Sequence, residues 1–173
     1  MTAYIQDTQR WLERAVIGLN LCPFAKAVHV KKQIHYAVSL APSGEALDAQ
    51  IRDTTLLIVP ALLSDFLDFN DFLAEAEDVL AELDLEGVIQ IASFHPDYQF
   101  AGTRPDDITN CTNRSPYPTL HLIREASIDK AVAAFPEPEA IFETNMQTLE
   151  KLGQAGWAAL GVGPTAVPTP SKS

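Results

Sequence analysis

The polar stretch from Ser93 to Arg124 holds a large share of the side chains in this sequence that could do chemistry. It contains two of the four histidines, three of the six arginines and one of the two cysteines. Histidine titrates near neutral pH and can act as a general acid or base, and cysteine can act as a nucleophile when a base activates it. These residue types predict acid–base or thiol-dependent chemistry on a small substrate.

Three residues are candidate catalytic groups: His95, Cys22 and Cys111. His95 precedes Pro96, which favours an extended conformation at the end of a strand, where side chains often face a ligand. Cys22 precedes Pro23, which suits the first turn of a helix, so the positive helix end could lower the pKa of the thiol. The alternative, which we favour for Cys22, is burial among apolar neighbours. We expect Cys111, in a polar neighbourhood, to be the more accessible thiol.

The candidate substrate-binding residues lie in the same stretch. Arg114 has no acidic neighbour in sequence and offers a planar, permanently charged fork, so we interpret it as an anion clamp. Asn110, Asn113 and Ser115 can orient a polar ligand, although the same residue types also make turns through their own backbone contacts. The remaining candidates also have structural explanations, as packed aromatics, surface charges or local hydrogen-bonding groups: Tyr117, Arg104, His121 and Arg124.

Two other classes of function stay open. Cys22, His95, Cys111 and His121 supply the ligand types that zinc or copper takes, but their spacing matches no local metal-binding pattern. The aromatic and arginine residues of the stretch equally suit a non-catalytic binding module or an assembly subunit. The sequence contains no dinucleotide or phosphate glycine motif, no paired-histidine zinc helix and no paired Cys-x-x-Cys, so we assign no cofactor.

Hydrophobic periodicity predicts the elements that must position these residues. Apolar side chains at three- and four-residue spacing predict a first helix ending near residues 18–20, a long helix over 69–83, and a helix opened by Pro138 and ended by Gly153. Ser43 and Ser127 are predicted N-caps of two shorter helices. Alternation and short apolar runs predict four strands, over 33–39, 56–59, 88–92 and 120–123.

The order of these elements predicts an α/β fold with a mixed, mainly parallel sheet of about four strands flanked by helices. The fourth strand is the one that could run antiparallel. Ligands of such sheets usually bind outside the carboxyl ends of the strands, and the stretch from Ser93 leaves the third strand at that end. Element order and composition therefore indicate the same place for a site.

Length and net charge indicate the number of domains and the classes of partner. A chain of 173 residues, of which 47% are apolar, fits a single domain, which we place at residues 1–160, followed by a flexible Pro/Ser/Thr-rich tail at 161–173. The net charge of −11 disfavours nucleic acids and anionic membrane surfaces as partners. The sequence shows no signal peptide or membrane-spanning run. We therefore expect a cytoplasmic protein.

Three segments carry a resemblance to a known family: IGLNLCPFA at 17–25, SFHPDYQFAG at 93–102 and NRSPYPT at 113–119. They resemble the signature of a bacterial family of domains of unknown function, numbered fourteen-fifteen, over nearly the whole chain apart from the tail. The resemblance implies a bacterial, cytoplasmic protein and transfers no catalytic role. From the residues themselves, we expect a hydrolase- or transferase-like enzyme that acts on a small anionic metabolite, at a site built from residues 93–124 and Cys22.

Overall fold

The computed structural model describes residues 2–38, 54–133 and 140–165. In chain order these residues form helix α1 (Thr2–Trp11), a π-helical turn (Leu12–Ile17), α2 (Ala25–Val30), strand β1 (Ile34–Val38), β2 (Thr54–Ile58), α3 (Phe66–Glu82), β3 (Ile89–Phe94), a 3-10 helix (Ile108–Thr112), β4 (Thr119–Arg124), α4 (Glu125–Ala133) and α5 (Ala140–Ala159). No helix within these ranges is long and apolar enough to cross a bilayer.

The four described strands form one mixed sheet in the order β1-β2-β4-β3. β1 and β2 pair in parallel, whereas β4 lies between β2 and β3 and runs antiparallel to both. The predicted α/β fold and its four strands are confirmed. Three of these strands run in one direction, as expected, but the insertion of β4 between two of them leaves only one of the three pairings parallel.

The helices follow the predicted apolar stripes, with differences at their ends. The first helix continues into the π-helical turn and stops before Gly18, and Asn20 takes a positive φ of 55°. α3 begins before the predicted stripe because the Asp65 carboxylate accepts hydrogen bonds from the Leu67 and Asp68 amides at 2.8 and 3.2 Å. This N-cap was not predicted.

Two further helix ends differ from the expectation. α4 starts at Glu125, directly after β4, so Ser127 lies inside the helix and is not its cap. α5 starts at Ala140 and is interrupted at the predicted end, Gly153, whose φ of 65° and ψ of 173° are non-helical. The predicted helix after Ser43 lies outside the described residues, as does Pro138.

Helices cover both faces of the sheet. On one face, Trp11 of α1 packs on Phe94 of β3, with ring centroids 5.2 Å apart. On the other face, Leu80 of α3 packs with Ile89 and Leu122. Because successive side chains of a strand point to opposite faces, residues paired across the sheet share a face. The pairing register therefore decides which polar residues can meet.

Residues 161–165, where the flexible tail was expected to begin, are held against α1. Val162 is buried in a cluster with Trp11 and Leu12. The Arg10 guanidinium donates to the carbonyls of Gly161 at 3.0 Å and Gly163 at 3.2 Å. Residues 166–173 lie outside the described part of the chain. The packed part of the chain therefore extends past residue 160.

Candidate functional site

The long connection between β3 and β4, residues 95–118, is held together largely by bonds to its own backbone, and we call it the polar loop. Its 3-10 helix starts at Asp107, whose carboxylate accepts hydrogen bonds from the Thr109 amide at 2.9 Å and hydroxyl at 2.7 Å. These bonds hold the pKa of Asp107 below its usual range. α5 packs against the same 3-10 helix. The polar loop is thus fixed from within and from outside.

His95, the predicted acid or base, is fully buried at the start of the polar loop. Its Nε2 lies 3.0 Å from the Leu63 carbonyl oxygen, and its Nδ1 accepts a hydrogen bond from the Asp97 amide at 3.0 Å. These partners assign the ring proton to Nε2. Phe66 and Phe69 flank the ring, with centroids at 5.5 and 5.1 Å, and burial lowers the pKa of His95. A substrate would reach either nitrogen only if these bonds opened.

Asn110 is also fully buried and works inside the loop. Its Oδ1 accepts from the Phe100 amide at 3.0 Å and from the Thr103 hydroxyl at 2.8 Å, and its Nδ2 donates to the Arg104 carbonyl at 2.8 Å. The Asn110 side chain therefore hydrogen-bonds groups of three residues in a segment that has no regular secondary structure to pair them. This is the structural alternative for Asn110.

The Arg114 guanidinium is half-buried and bonded to carbonyl groups. Its Nη2 donates to Pro105 at 2.6 Å and its Nε donates to Tyr98 at 3.3 Å. The side chain also hydrogen-bonds the Cys111 thiol. Arg114 thus ties three parts of the polar loop together, and its fork is largely occupied by protein groups.

Cys111 is less accessible than Cys22, contrary to the prediction. It is 1% exposed, whereas Cys22 is half-buried. The reason is that the 3-10 helix turns Cys111 inward, where it packs with Leu21 and Leu149. Burial raises the pKa of the Cys111 thiol, although Arg114 acts in the opposite direction.

The next candidates also hydrogen-bond within the protein. Asn113 donates its Nδ2 to the Ser93 carbonyl at 3.1 Å, and the buried Ser115 hydroxyl donates to the Tyr117 carbonyl at 2.6 Å. Tyr117 is buried and donates its hydroxyl to the Asp7 carboxylate at 2.6 Å. These contacts secure the end of the polar loop before β4.

Asp7 is a buried carboxylate that the sequence reasoning missed. Besides Tyr117, it accepts hydrogen bonds from Arg10 at 2.6 Å and from the Thr165 amide and hydroxyl at 2.7 and 2.6 Å. Burial would raise the pKa of Asp7, but these bonds outweigh it and hold the pKa well below its usual range. The spacing could have indicated that Asp7 is buried, because it stands three residues after Tyr4 and four before Trp11, both on the inner face of α1.

Two further candidates are the arginines Arg104 and Arg124. Arg104 is exposed and its Nε lies 3.5 Å from the Asp106 carboxylate, as the structural interpretation expected. Arg124 is the last residue of β4 and pairs with Ile89 across the sheet. Since His121 precedes Arg124 by three residues on the same strand, the two side chains lie on opposite faces.

Cys22 combines features of both interpretations made for it. Its sulfur accepts hydrogen bonds from the Phe24 and Ala25 amides at the start of α2, yet burial dominates and raises the pKa of the thiol. Cys22 packs on the same apolar cluster as Tyr36 and Phe94. Its environment is therefore the α1-covered side of the sheet and not the interior of the polar loop.

On that same side, the register places Tyr36, Leu56, His121 and Ala92 in one row across the four strands. Neighbouring strands lie about 4.8 Å apart, so the Cα atoms of Tyr36 and His121 are separated by roughly 10 Å. A small molecule can span this distance. Leu56 is buried, and the other three are half-buried. We call the following set the sheet-face site: Trp11, Tyr36, Leu56, Ala92, Phe94 and His121.

The two polar groups of the sheet-face site are neutral at pH 7. Burial lowers the pKa of His121 to about 4. Burial, followed by the charge of Glu13, raises the pKa of Tyr36 to about 12. Within the described residues, the buried Tyr36 hydroxyl has no hydrogen-bond partner. A buried polar group without a hydrogen bond lowers the stability of the fold by about 1–3 kcal/mol, so its presence here calls for an explanation. The Phe94 ring lies 6.3 Å from the His121 ring.

The four candidate metal ligands, Cys22, His95, Cys111 and His121, all belong to the described residues. Nowhere in residues 2–38, 54–133 and 140–165 do three His, Cys, Asp or Glu side chains lie close enough to hold a metal ion. The four candidate ligands therefore do not assemble a metal centre. Cys22 and Cys111 pack in different apolar clusters, and both nitrogens of His95 bond to backbone groups.

Comparison with known proteins gives one match. The family described as a protein of unknown function (DUF1415) matches residues 3–159. No curated protein and no solved structure matches the chain.

Proposed function

Since this chain belongs to the DUF1415 family, whose description assigns no activity, we propose from the sheet-face site that it is an enzyme acting on a small neutral molecule. The substrate contacts the sheet-face site at Tyr36 and His121, the two half-buried polar residues on either side of the buried Leu56. The Tyr36 hydroxyl hydrogen-bonds a polar atom of the substrate, and neutral His121 provides a second hydrogen-bonding group on the same face. The half-buried Phe94 contacts its apolar part.

The buried Tyr36 hydroxyl without a partner carries this proposal. A hydroxyl in that position destabilises the free protein, and a ligand oxygen or nitrogen that bonds to it removes the penalty. His121 adds a neutral imidazole on the same face, with one donor and one acceptor nitrogen. Both residues are half-buried, although the Tyr36 hydroxyl itself is buried.

A neutral substrate fits these groups better than the anion expected from the sequence. The anionic expectation depended on Arg114, whose guanidinium donates to the Tyr98 and Pro105 carbonyls. The sheet-face site offers two neutral groups, and the charge that acts on Tyr36 is the acidic Glu13. An anion would gain no compensating charge from them.

The decisive variant is Tyr36→Phe, which removes the hydroxyl and keeps the ring. We expect it to stabilise the free protein by about 1 kcal/mol, measured by urea unfolding, because the unpaired group is gone. It should also weaken, by about tenfold, the binding of any neutral metabolite that raises the melting temperature of the wild type in a thermal-shift screen.

Two control variants separate this site from general effects. Tyr98→Phe removes the hydroxyl of a half-buried tyrosine in the polar loop. His35→Gln alters a half-buried histidine on the opposite side of β1 from Tyr36. Both should keep the affinity for the screening hits, whereas His121→Gln should reduce it. A loss of stability in Tyr36→Phe, or hits that are all anionic and depend on Arg114, would refute the proposal.

A further inference from the structure

A chain of aromatic rings runs over the surface from α5 to α3, and we call it the aromatic path. Phe142 lies 6.1 Å from Phe100, which lies 5.0 Å from Tyr98, and Tyr98 lies 5.2 Å from Phe66. Phe142 is 52% exposed, and Leu67, next to Phe66, is 71% exposed. A contiguous row of partly exposed aromatic rings is typical of a surface that contacts another protein.

The surroundings of the aromatic path are acidic. Asp65, Asp68, Asp97 and Glu143 are exposed and stand within two residues of its rings, and no lysine or arginine does. Arg114 approaches from the polar loop, but its guanidinium donates to carbonyl groups there. Negative charges beside aromatic faces favour a cationic partner, through both ion pairing and cation–π contact.

The chain itself carries a surface of the complementary kind, residues 26–32, which we call the basic segment. Lys26, Lys31 and Lys32 are exposed on and after α2, and Val30 between them is 70% exposed. The sequence has no aspartate or glutamate from residue 14 to residue 44, although the whole chain has a net charge of −11. The basic segment thus combines positive charge with an exposed apolar side chain.

The two surfaces belong to opposite sides of the sheet. The basic segment follows Ala25, which packs with Trp11 of α1 on one face. Phe66 of the aromatic path belongs to α3, which covers the other face through Leu80. A single chain cannot bring them together, whereas two copies can. Repulsion between the acidic chains is screened beyond about 8 Å at physiological salt, so the local contacts decide.

We propose that the aromatic path of one copy binds the basic segment of a second copy. The contact is head-to-tail, since each copy uses a different surface, and it therefore continues into rings or longer chains. Val30 packs against the exposed rings, and the three lysines lie beside the acidic residues. This assembly uses neither Tyr36 nor His121 and does not depend on the proposed substrate.

The test is sedimentation velocity at rising protein concentration with two variants of the full chain. One is the double variant Lys31→Glu, Lys32→Glu, and the other is Phe142→Ser. All three positions are exposed, so both variants should fold, which circular dichroism checks. We expect the wild type to sediment as growing oligomers and each variant alone as a monomer. An equal mixture of the two should form a dimer and nothing larger, because each retains one intact surface.

Matched controls change similar residues elsewhere. Lys130→Glu with Lys151→Glu repeats the charge change, and Leu83→Ser repeats the loss of an exposed apolar side chain at the far end of α3. Both should assemble like the wild type. The proposal fails if the wild type stays monomeric, if the mixture stays monomeric, or if only one variant loses assembly, which would indicate a symmetric contact through one surface.

Discussion

Several polar residues of this protein that sequence reasoning placed in a site hydrogen-bond its own backbone. His95, Asn110 and Arg114 all bond to carbonyl or amide groups around the polar loop. Their types and spacing are visible in the sequence, but their partners are not, because a carbonyl group is present at every position. Tyr36 shows the reverse case, since it lies in a strand that alternation predicted, but nothing in the local sequence reveals that its hydroxyl lacks a partner.

His121 makes a prediction at this scale. The unfolded chain binds a proton at a pKa of about 6.5, whereas burial lowers the pKa in the folded protein to about 4. Protonation therefore favours unfolding. Its contribution to stability is complete above about pH 6.5 and is lost as the pH falls toward 4, by at most about 3 kcal/mol.

Urea unfolding across this pH range measures the effect. The wild type should lose more stability between pH 6.5 and 4 than His121→Gln, in which the titrating group is absent. Equal slopes for the wild type and His121→Gln would contradict the burial of a neutral imidazole.

At the scale of elements, hydrophobic periodicity predicted the strands and the long helices, because each buries a regular stripe. It did not predict the N-cap Asp65, since a cap acts through two amides and not through a stripe. Nor could it predict that β4 inserts between β2 and β3. Strand order depends on contacts between distant segments, and a run such as Leu120–Ile123 suits either neighbour.

The polar loop makes a prediction at this scale. Asn110→Ala should leave the Phe100 amide and the Arg104 carbonyl without their side-chain partner and cost about 3 kcal/mol, while the Thr103 hydroxyl keeps its bond to the Phe100 carbonyl. Hydrogen exchange should increase over residues 98–106, while β2 keeps its protection. Asn70→Ala, at an exposed position of α3, should change neither. Unchanged exchange in the polar loop of Asn110→Ala would show that the 3-10 helix alone holds it.

At the scale of the whole molecule, residues 160–165 act as a strap across α1. Arg14 donates to the Leu160 carbonyl at 2.9 Å, Arg10 bonds to Gly161 and Gly163, and Val162 is buried. Composition predicted a flexible tail here, because proline and threonine usually bury little surface. What composition could not show is that α1 and the π-helical turn together present Asp7, Arg10 and Arg14 on one side.

Removal of this strap should destabilise the whole fold. A chain ending at Ala159 loses the burial of Val162 and the bonds to Asp7, Arg10 and Arg14, at a cost on the order of 4 kcal/mol. A chain ending at Thr165 keeps each of these contacts and is the control. Urea unfolding of the two truncated chains gives the difference, and equal stabilities would mean that the strap contributes nothing.

The bond between Asp7 and Thr165 also has a consequence for the order of folding. It joins residues 158 positions apart, so one of its partners is synthesised long before the other. Closing so long a chain segment is entropically costly, and such contacts form late. During synthesis, the Asp7 carboxylate therefore lacks its two bonds from Thr165 until that residue has been added to the chain. The bonds that residues 160–165 make to α1 are therefore among the last that the fold can complete.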